Sequence, residues 1–271
     1  MLQYLDKTTL SYAAIFGLEA DTHLMGTDYS WLSSIFYFGY LVSQPLSGIV
    51  LQRFPPAKCL CVGVFLWSII LFMHVVCDSW PKLMAVRFFL GTVEGITFPA
   101  FMLINAAWWP RDVQPFRMGF WFSFNGIAQI LGGLLSYGLG HIHSSIESWK
   151  WMYLVTGALT TCWSIFLFFV LPNNQIDAWF LKGDDKRIAL EMIRDNNTGV
   201  HNKTFKKEQF IEAFTDPKTW IMFLLNFLIN IPNAVGSFGN LIISGFGYSS
   251  LITTLVGFLS ASNDLQTNLH L

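Results

Sequence analysis

The sequence is poor in charge. Asp, Glu, Lys and Arg make up 12% of its 271 residues, where a soluble domain carries roughly 25%. With 53% hydrophobic residues, this deficit excludes an ordinary soluble domain and points to a membrane protein. A net charge of −1 argues against a nucleic-acid partner and against long-range steering of charged ligands. There are only four cysteines, Cys59, Cys61, Cys77 and Cys162. They lie in or beside apolar runs without metal-ligand spacing, so they read as packing residues and not as a disulfide framework or zinc site. Enzyme signatures are missing too: no G-x-S-x-G, P-loop or H-E-x-x-H occurs, and His141 and His143 are two apart on a loop. The opening MLQYLDKTTLSYAAIFGL lacks the basic start and small-residue cleavage site of a secretory signal peptide. No enzyme activity, metal or cofactor is expected.

Long apolar runs are what the chain does have. They occur at about 30–51, 59–77, 83–105, 117–138, 151–171 and 219–246, each long enough to cross a bilayer as a helix. Residues 1–18 are apolar as well, ~27 Å of helix against a ~30 Å hydrocarbon core, and read as a spanning helix with its first turn clipped. Seven segments divide the chain into an N-terminal bundle (1–171), a loop (172–218), a seventh span (219–246) and a divergent tail (247–271).

The loop cations sort by side. Joints 52–58, 108–117 and 172–218 hold Arg53, Lys58, Arg111, Arg117, Lys182, Lys186, Arg187, Arg194, Lys203, Lys206, Lys207 and Lys218, whereas joints 19–30, 78–82 and 140–150 hold Lys82 and Lys150. The positive-inside rule makes the first side, and with it the N-terminus, cytoplasmic. The sequons at Asn196 and Asn202 fall on that side and are expected to be unmodified. Within the long joint, DDKRIALEMIRDN sets Ile188, Ala189, Met192 and Ile193 on one face of an amphipathic helix, expected to lie under the bundle. Trp108, Trp109, Trp149, Trp151 and Trp220 cluster near the expected membrane surfaces as an aromatic belt.

Four charges sit inside spans, where each costs at least ~2.5–3.5 kcal/mol on insertion scales. Arg87 and Glu94, in VRFFLGTVEG, share a helical face but stand ~10 Å apart along the axis, too far to pair. Gly91 and Gly95 flank Glu94 with G-x-x-x-G spacing, which lets another backbone approach closely. The first span runs antiparallel to the fourth, so Asp6 and Lys7 fall at about the depth of Glu94, near the midplane. Two acids and two bases form a neutral set. It serves either as a salt-bridge network fixing helix packing or as a site that handles protons and substrate, a role for which a carboxyl in a low-dielectric setting is suited. Polar stripes accompany it: Tyr37, Tyr40 and Gln44 in the second span, Asn125 and Gln129 in the fifth, and Asn226, Asn230, Asn233 and Asn240 in the seventh. They read either as interhelical hydrogen bonds or as the lining of a shared cavity, and their spread over several helices favours a cavity. Pro232, Gly236 and Gly239 suggest that the seventh span bends around it.

The segments YLDKTTLSYAAIFGL, DYSWLSSIFYFGYLVSQP, VRFFLGTVEGITFPAFMLI, WWPRDVQPFRMGFWFSFNG and SWKWMYLVTGAL resemble the fungal allantoate permease group. That group belongs to the anion:cation symporter family of the major facilitator superfamily. The likeness continues through AWFLKGDDKRIA, FTDPKTWIMFLLN and NLIISGFGYSS, covering roughly residues 4–250. It implies an all-α membrane protein made of the N-terminal six-helix half plus the first helix of the second half. It further implies proton-coupled import of a small organic anion such as allantoate, a ureido acid or a vitamin acid, by alternating access. The family's coupling centre maps onto Asp6 and Glu94 as proton carriers and Lys7 and Arg87 as carboxylate binders. The proton gradient drives transport, and no cofactor is implied. The group's pattern departs here at Lys7, where the basic residue is usually Arg, and at QRFPPAK, which keeps only scattered cations of the usual loop motif. The family also has an N-terminal tail and a full second half. Their absence leads to the expectation of a partial transporter that does not transport alone and pairs with a second half-transporter or full-length homologue. A seven-span receptor is the rival reading. It needs its N-terminus outside, against the distribution of basic loops.

Overall fold

A computed structural model of the chain describes residues 1–142, 146–193, 207–231, 233–248 and 252–253. His143, Asn196, Asn202, Pro232 and most of the tail lie outside the described residues. The apolar runs are helical. The first is α1 (Leu2–Ala13), a π segment (Ala14–Leu18) and the single turn α2 (Glu19–Asp21). Then come α3 (Asp28–Arg53), α4 (Pro56–Val75), α5 (Trp80–Glu94), α6 (Thr97–Trp108), α7 (Gln114–Gly140) and α8 (Ser148–Val170). After the bundle lie α9 (Asp184–Met192), α10 (Lys207–Thr215), α11 (Pro217–Asn230) and α12 (Asn233–Gly245). Among the described residues five helical stretches are long and apolar enough to cross a membrane: 28–53, 56–75, 80–108, 114–140 and 148–170. The first and seventh runs are helical but interrupted.

Prolines set many of the boundaries. α4, α5, α7 and α11 each begin with proline in the first two positions, where its missing N–H is not needed. α3 ends two residues before Pro55 and α6 two before Pro110, because the residue preceding proline avoids the helical region. Asp216 adds a side-chain cap, accepting from the Lys218 amide at 2.9 Å. In the first run the chain turns at Phe16 (φ −102°, ψ 23°) and Gly17 (φ 101°), a conformation glycine adopts without steric penalty.

The fourth span is not one helix. It breaks at Gly95–Ile96, between α5 and α6. Pro99 explains the break: its ring clashes with the carbonyl four residues back and offers that carbonyl no N–H. The carbonyl in question belongs to Gly95, and the Gln44 amide of α3 donates to it instead at 3.2 Å.

Packing is closest between α3 and α5. A Cβ placed on Gly39 would stand 2.1 Å from the Phe88 carbonyl oxygen, and one on Gly91 would stand 1.9 Å from that of Phe36. A Cβ on Gly95 would meet the Ser43 hydroxyl at 1.8 Å. The G-x-x-x-G pair thus does what its spacing suggests, with α3 as the approaching backbone and Gly39 reciprocating. α4 packs on α8, where the Ser164 hydroxyl donates to the Cys61 carbonyl at 3.1 Å, and α1 packs on α7, α8 and α12. The core comprises Leu10, Leu32, Trp67, Leu71, Leu90 and Tyr153, among others. All four cysteines are unpaired, with Cys162 exposed.

Two expectations about the periphery change. α9 forms where the periodicity places it, but Ile188 and Met192 are exposed and only Ile193 is buried, so its apolar face does not rest under the described bundle. Trp149 is no belt residue. It is fully buried, and its indole donates to the Asp21 carboxylate at 2.6 Å, tying α8 to the end of the first run.

Candidate functional site

The four intramembrane charges converge. α1 brings Asp6 and Lys7, and α5 brings Arg87 and Glu94, about two and four turns below its start. Asp6, Arg87 and Glu94 are 1%, 3% and 0% exposed, while the Lys7 side chain keeps 31% of its surface. Lys7 Nζ lies 3.3 Å from Glu94 Oε1, in keeping with their similar depth in the two spans. The same ammonium sits 5.5 Å from the Phe36 ring centroid and 5.4 Å from that of Tyr40, within cation–π range. The α3–α5 glycine contact makes this possible, since it draws the aromatic face of α3 up to Glu94. Gln3 also faces the Glu94 carboxylate.

Asp6 and Arg87 occupy the other lobe. Asp6 feels Glu94 and Arg87 electrostatically and has the Thr156 and Thr160 hydroxyls of α8 as neighbours. Neither of its carboxylate oxygens makes a well-formed hydrogen bond among the described residues, and Thr156 donates to the Met152 carbonyl at 2.8 Å. Arg87 forms no ion pair among the described residues. Its Nη2 donates to the Tyr153 hydroxyl at 2.7 Å, and its guanidinium lies 5.8 Å from that ring. Nε of Arg87 has no hydrogen-bond partner there. Arg87 and Glu94 do not pair, as their separation along α5 dictates.

The site also contains two residues that sequence reasoning passed over, Tyr153 and His74. His74 is fully buried on α4, with Nδ1 3.0 Å from the Ile70 carbonyl, and its ring stacks on Tyr153 at 4.6 Å and 9°. If Nδ1 carries the proton toward Ile70, Nε2 is left as an acceptor, and it has no partner among the described residues. A single histidine or tyrosine in an apolar run resembles ordinary core, so only a three-dimensional contact identifies them.

The polar stripes divide. Tyr40 and Gln44 stand beside the cluster, Gln44 as the ligand of the Gly95 carbonyl. Tyr37 is half exposed at its edge, with its ring against Phe36. Asn125 and Gln129 are half-buried on α7, the helix that packs against α1. Asn226 and Asn230 are not brought in: α11 is exposed throughout, and the two amides donate to the Met222 and Asn226 carbonyls of their own helix at 2.9 and 2.7 Å. Asn233 opens α12, and its side chain lies outside the described residues. The seventh run is divided between α11, which ends at Asn230, and α12, which starts at Asn233, and α12 packs on the bundle. There α12 contacts α1, and Phe238 meets Tyr29 edge-on at 5.7 Å.

A bundle of helices long and apolar enough to cross a bilayer, with an ion cluster in its centre, has the architecture of a polytopic membrane protein. The model of the Major Facilitator Superfamily matches residues 1–263, and the chain belongs to that superfamily. It is 45% identical over 256 residues to an uncharacterized transporter of Schizosaccharomyces pombe, covering 94% of this chain and 48% of that protein. It is 35% identical to the allantoate permease of Saccharomyces cerevisiae (97% and 50% covered) and 36% identical to a thiamine pathway transporter of the same yeast (94% and 49%). The fold matches the crystal structure of a D-xylose–proton symporter with a TM-score of 0.62 at 13% identity, covering 98% of this chain and 65% of that one. The chain spans about half the length of the curated relatives it matches. The family is one of transporters and not of enzymes.

Proposed function

We propose that these residues form the N-terminal half of a proton-coupled importer of a small organic anion, of the allantoate, ureido acid or vitamin-acid class, working by alternating access. Asp6 and Glu94 carry the proton. Lys7 and Arg87 attract the substrate carboxylate, Arg87 through its forked donors, and Tyr37, Tyr40, Gln44, Asn125, Gln129 and Asn233 line the path. The host is a cell-surface membrane, with the N-terminus and the 172–218 loop cytoplasmic. A second half, covalently joined or supplied by a partner, completes the cavity. The observation that carries the reading is the Lys7–Glu94 pair at 3.3 Å beside buried Asp6 and Arg87: a cation whose counterion can be exchanged for a substrate carboxylate when Glu94 takes up a proton. Family membership favours transport over the receptor reading.

The test uses a complete transporter carrying this half. Asp6→Asn and Glu94→Gln are each expected to abolish accumulation of labelled substrate driven by an inward proton gradient, while exchange of substrate across the membrane persists. Unchanged acid-driven accumulation in both variants would refute proton handling at this cluster.

A further inference from the structure

α3 and α4 follow one another in the chain yet scarcely touch; both pack on α5 instead. Between them runs a slot of about 400 Å³. Its walls are Leu46 and Val50 from α3 and Val62 and Leu66 from α4, and Val93 of α5 is its floor. The hydroxyls that border it are already engaged: Ser43 donates to the Tyr40 carbonyl, Ser47 to that of Gln44 and Thr92 to that of Phe88. The slot therefore offers a ligand almost nothing but hydrocarbon. One end is different. There the exposed Lys58 stands at the mouth, on the α3–α4 joint that also carries Arg53.

The dimensions select an occupant. From Ser43 to the joint at Phe54 the α3 wall is ~16 Å long, which is about half of a ~30 Å hydrocarbon core. The slot thus runs from the middle of the bilayer to the headgroup level on the lysine- and arginine-rich side. A cation at headgroup height above an apolar channel one leaflet deep is complementary to an acidic phospholipid. We propose that the α3–α4 slot holds one acyl chain of an anionic phospholipid, with the headgroup phosphate on Lys58. This site shares no residue with the ion cluster and does not depend on the transport reading.

The experiment titrates the delipidated 271-residue chain in detergent with phosphatidylserine or phosphatidylcholine and counts retained lipids by native mass spectrometry. One basic residue at a headgroup site favours the anionic lipid by about five-fold. Phosphatidylserine should therefore be retained several-fold over phosphatidylcholine. Lys58→Glu should abolish or reverse that preference. Val62→Trp fills the slot from an exposed position and should remove one retained lipid of either kind, while water-soluble glycerophosphoserine should not compete. Equal retention of both lipids by the unsubstituted chain, an unchanged preference in Lys58→Glu or an unchanged lipid count in Val62→Trp would each overturn the site. So would competition by glycerophosphoserine, which would mark a headgroup-only phosphate site. A dimer that retains no lipid and dissociates in Val62→Trp would also overturn it, by making the slot a protein interface.

Discussion

Removing one partner of the Lys7–Glu94 pair should cost more than removing both. At 3.3 Å two unit charges attract by about 5 kcal/mol at an effective dielectric of ~20, and desolvation consumes much of this. The two ends are unequal. Glu94 is fully buried, while Lys7 keeps 31% of its side-chain surface and can swing its ammonium toward polar surroundings. Glu94→Gln strands the partly exposed ammonium and should destabilise by ~2–3 kcal/mol. Lys7→Gln strands a buried carboxylate and should fall at the upper end of the ~3–5 kcal/mol seen for broken buried pairs. The double variant removes both charges and should cost less than Glu94→Gln alone, so the two single costs should together exceed it by ~5 kcal/mol or more. Equilibrium unfolding in mixed micelles, followed by tryptophan fluorescence, measures all four proteins at neutral pH. Coupling within ~0.5 kcal/mol of zero is what independent sites give and would refute the pair. A larger cost for Glu94→Gln than for Lys7→Gln would refute the burial argument.

The glycine contact makes a paired prediction. Gly91→Ala puts a methyl 1.9 Å from the Phe36 carbonyl and forces α3 away from α5, so it should cost ~1–3 kcal/mol or more. Gly48→Ala, with nothing within 4 Å of its Cβ, should be neutral or gain ~0.5–1 kcal/mol from better helix propensity; the same unfolding assay separates them. At the surface, Lys82 donates to Asp78 at 2.6 Å and holds its carboxyl below the usual range. A depressed folded value gives stability that is complete above the unfolded value near 3.8 and is lost as pH falls through the lower folded one. Between exposed partners the gain is small and screened by salt. Asp78→Asn should leave the unfolding midpoint unmoved at neutral pH and physiological salt, with any difference shrinking further in acid.

What could be read from the sequence follows from what is one-dimensional. Span lengths and the depths of Asp6, Lys7 and Glu94 derive from a 1.5 Å rise, the alternation of basic loops follows the positive-inside rule, and the Lys7–Glu94 contact is compatible with those depths. Which neighbour a helix meets does not follow from rise alone. The G-x-x-x-G pair announced a close approach without saying that α3 would make it or that Phe36 and Tyr40 would then flank Lys7. Arg87 was expected among the carboxylates, yet its hydrogen bond goes to Tyr153 of α8, because a seven-residue offset sets it about two helical turns from Glu94. Trp149 shows the same limit. Its position near a surface suggested a lipid belt, but Asp21 supplies an acceptor, and a satisfied indole can be buried. One feature was legible and went unread. Pro99 stands four residues after Gly95, so the break in the fourth span was written in GITFP. Its consequence is mechanical: Glu94 is the last residue of α5, and the Gln44 amide from α3, not the next turn of its own helix, holds the carbonyl beside it. A motion of α3 against α5 therefore acts on Glu94 from two directions, through Gln44 at the break and through the rings that flank Lys7.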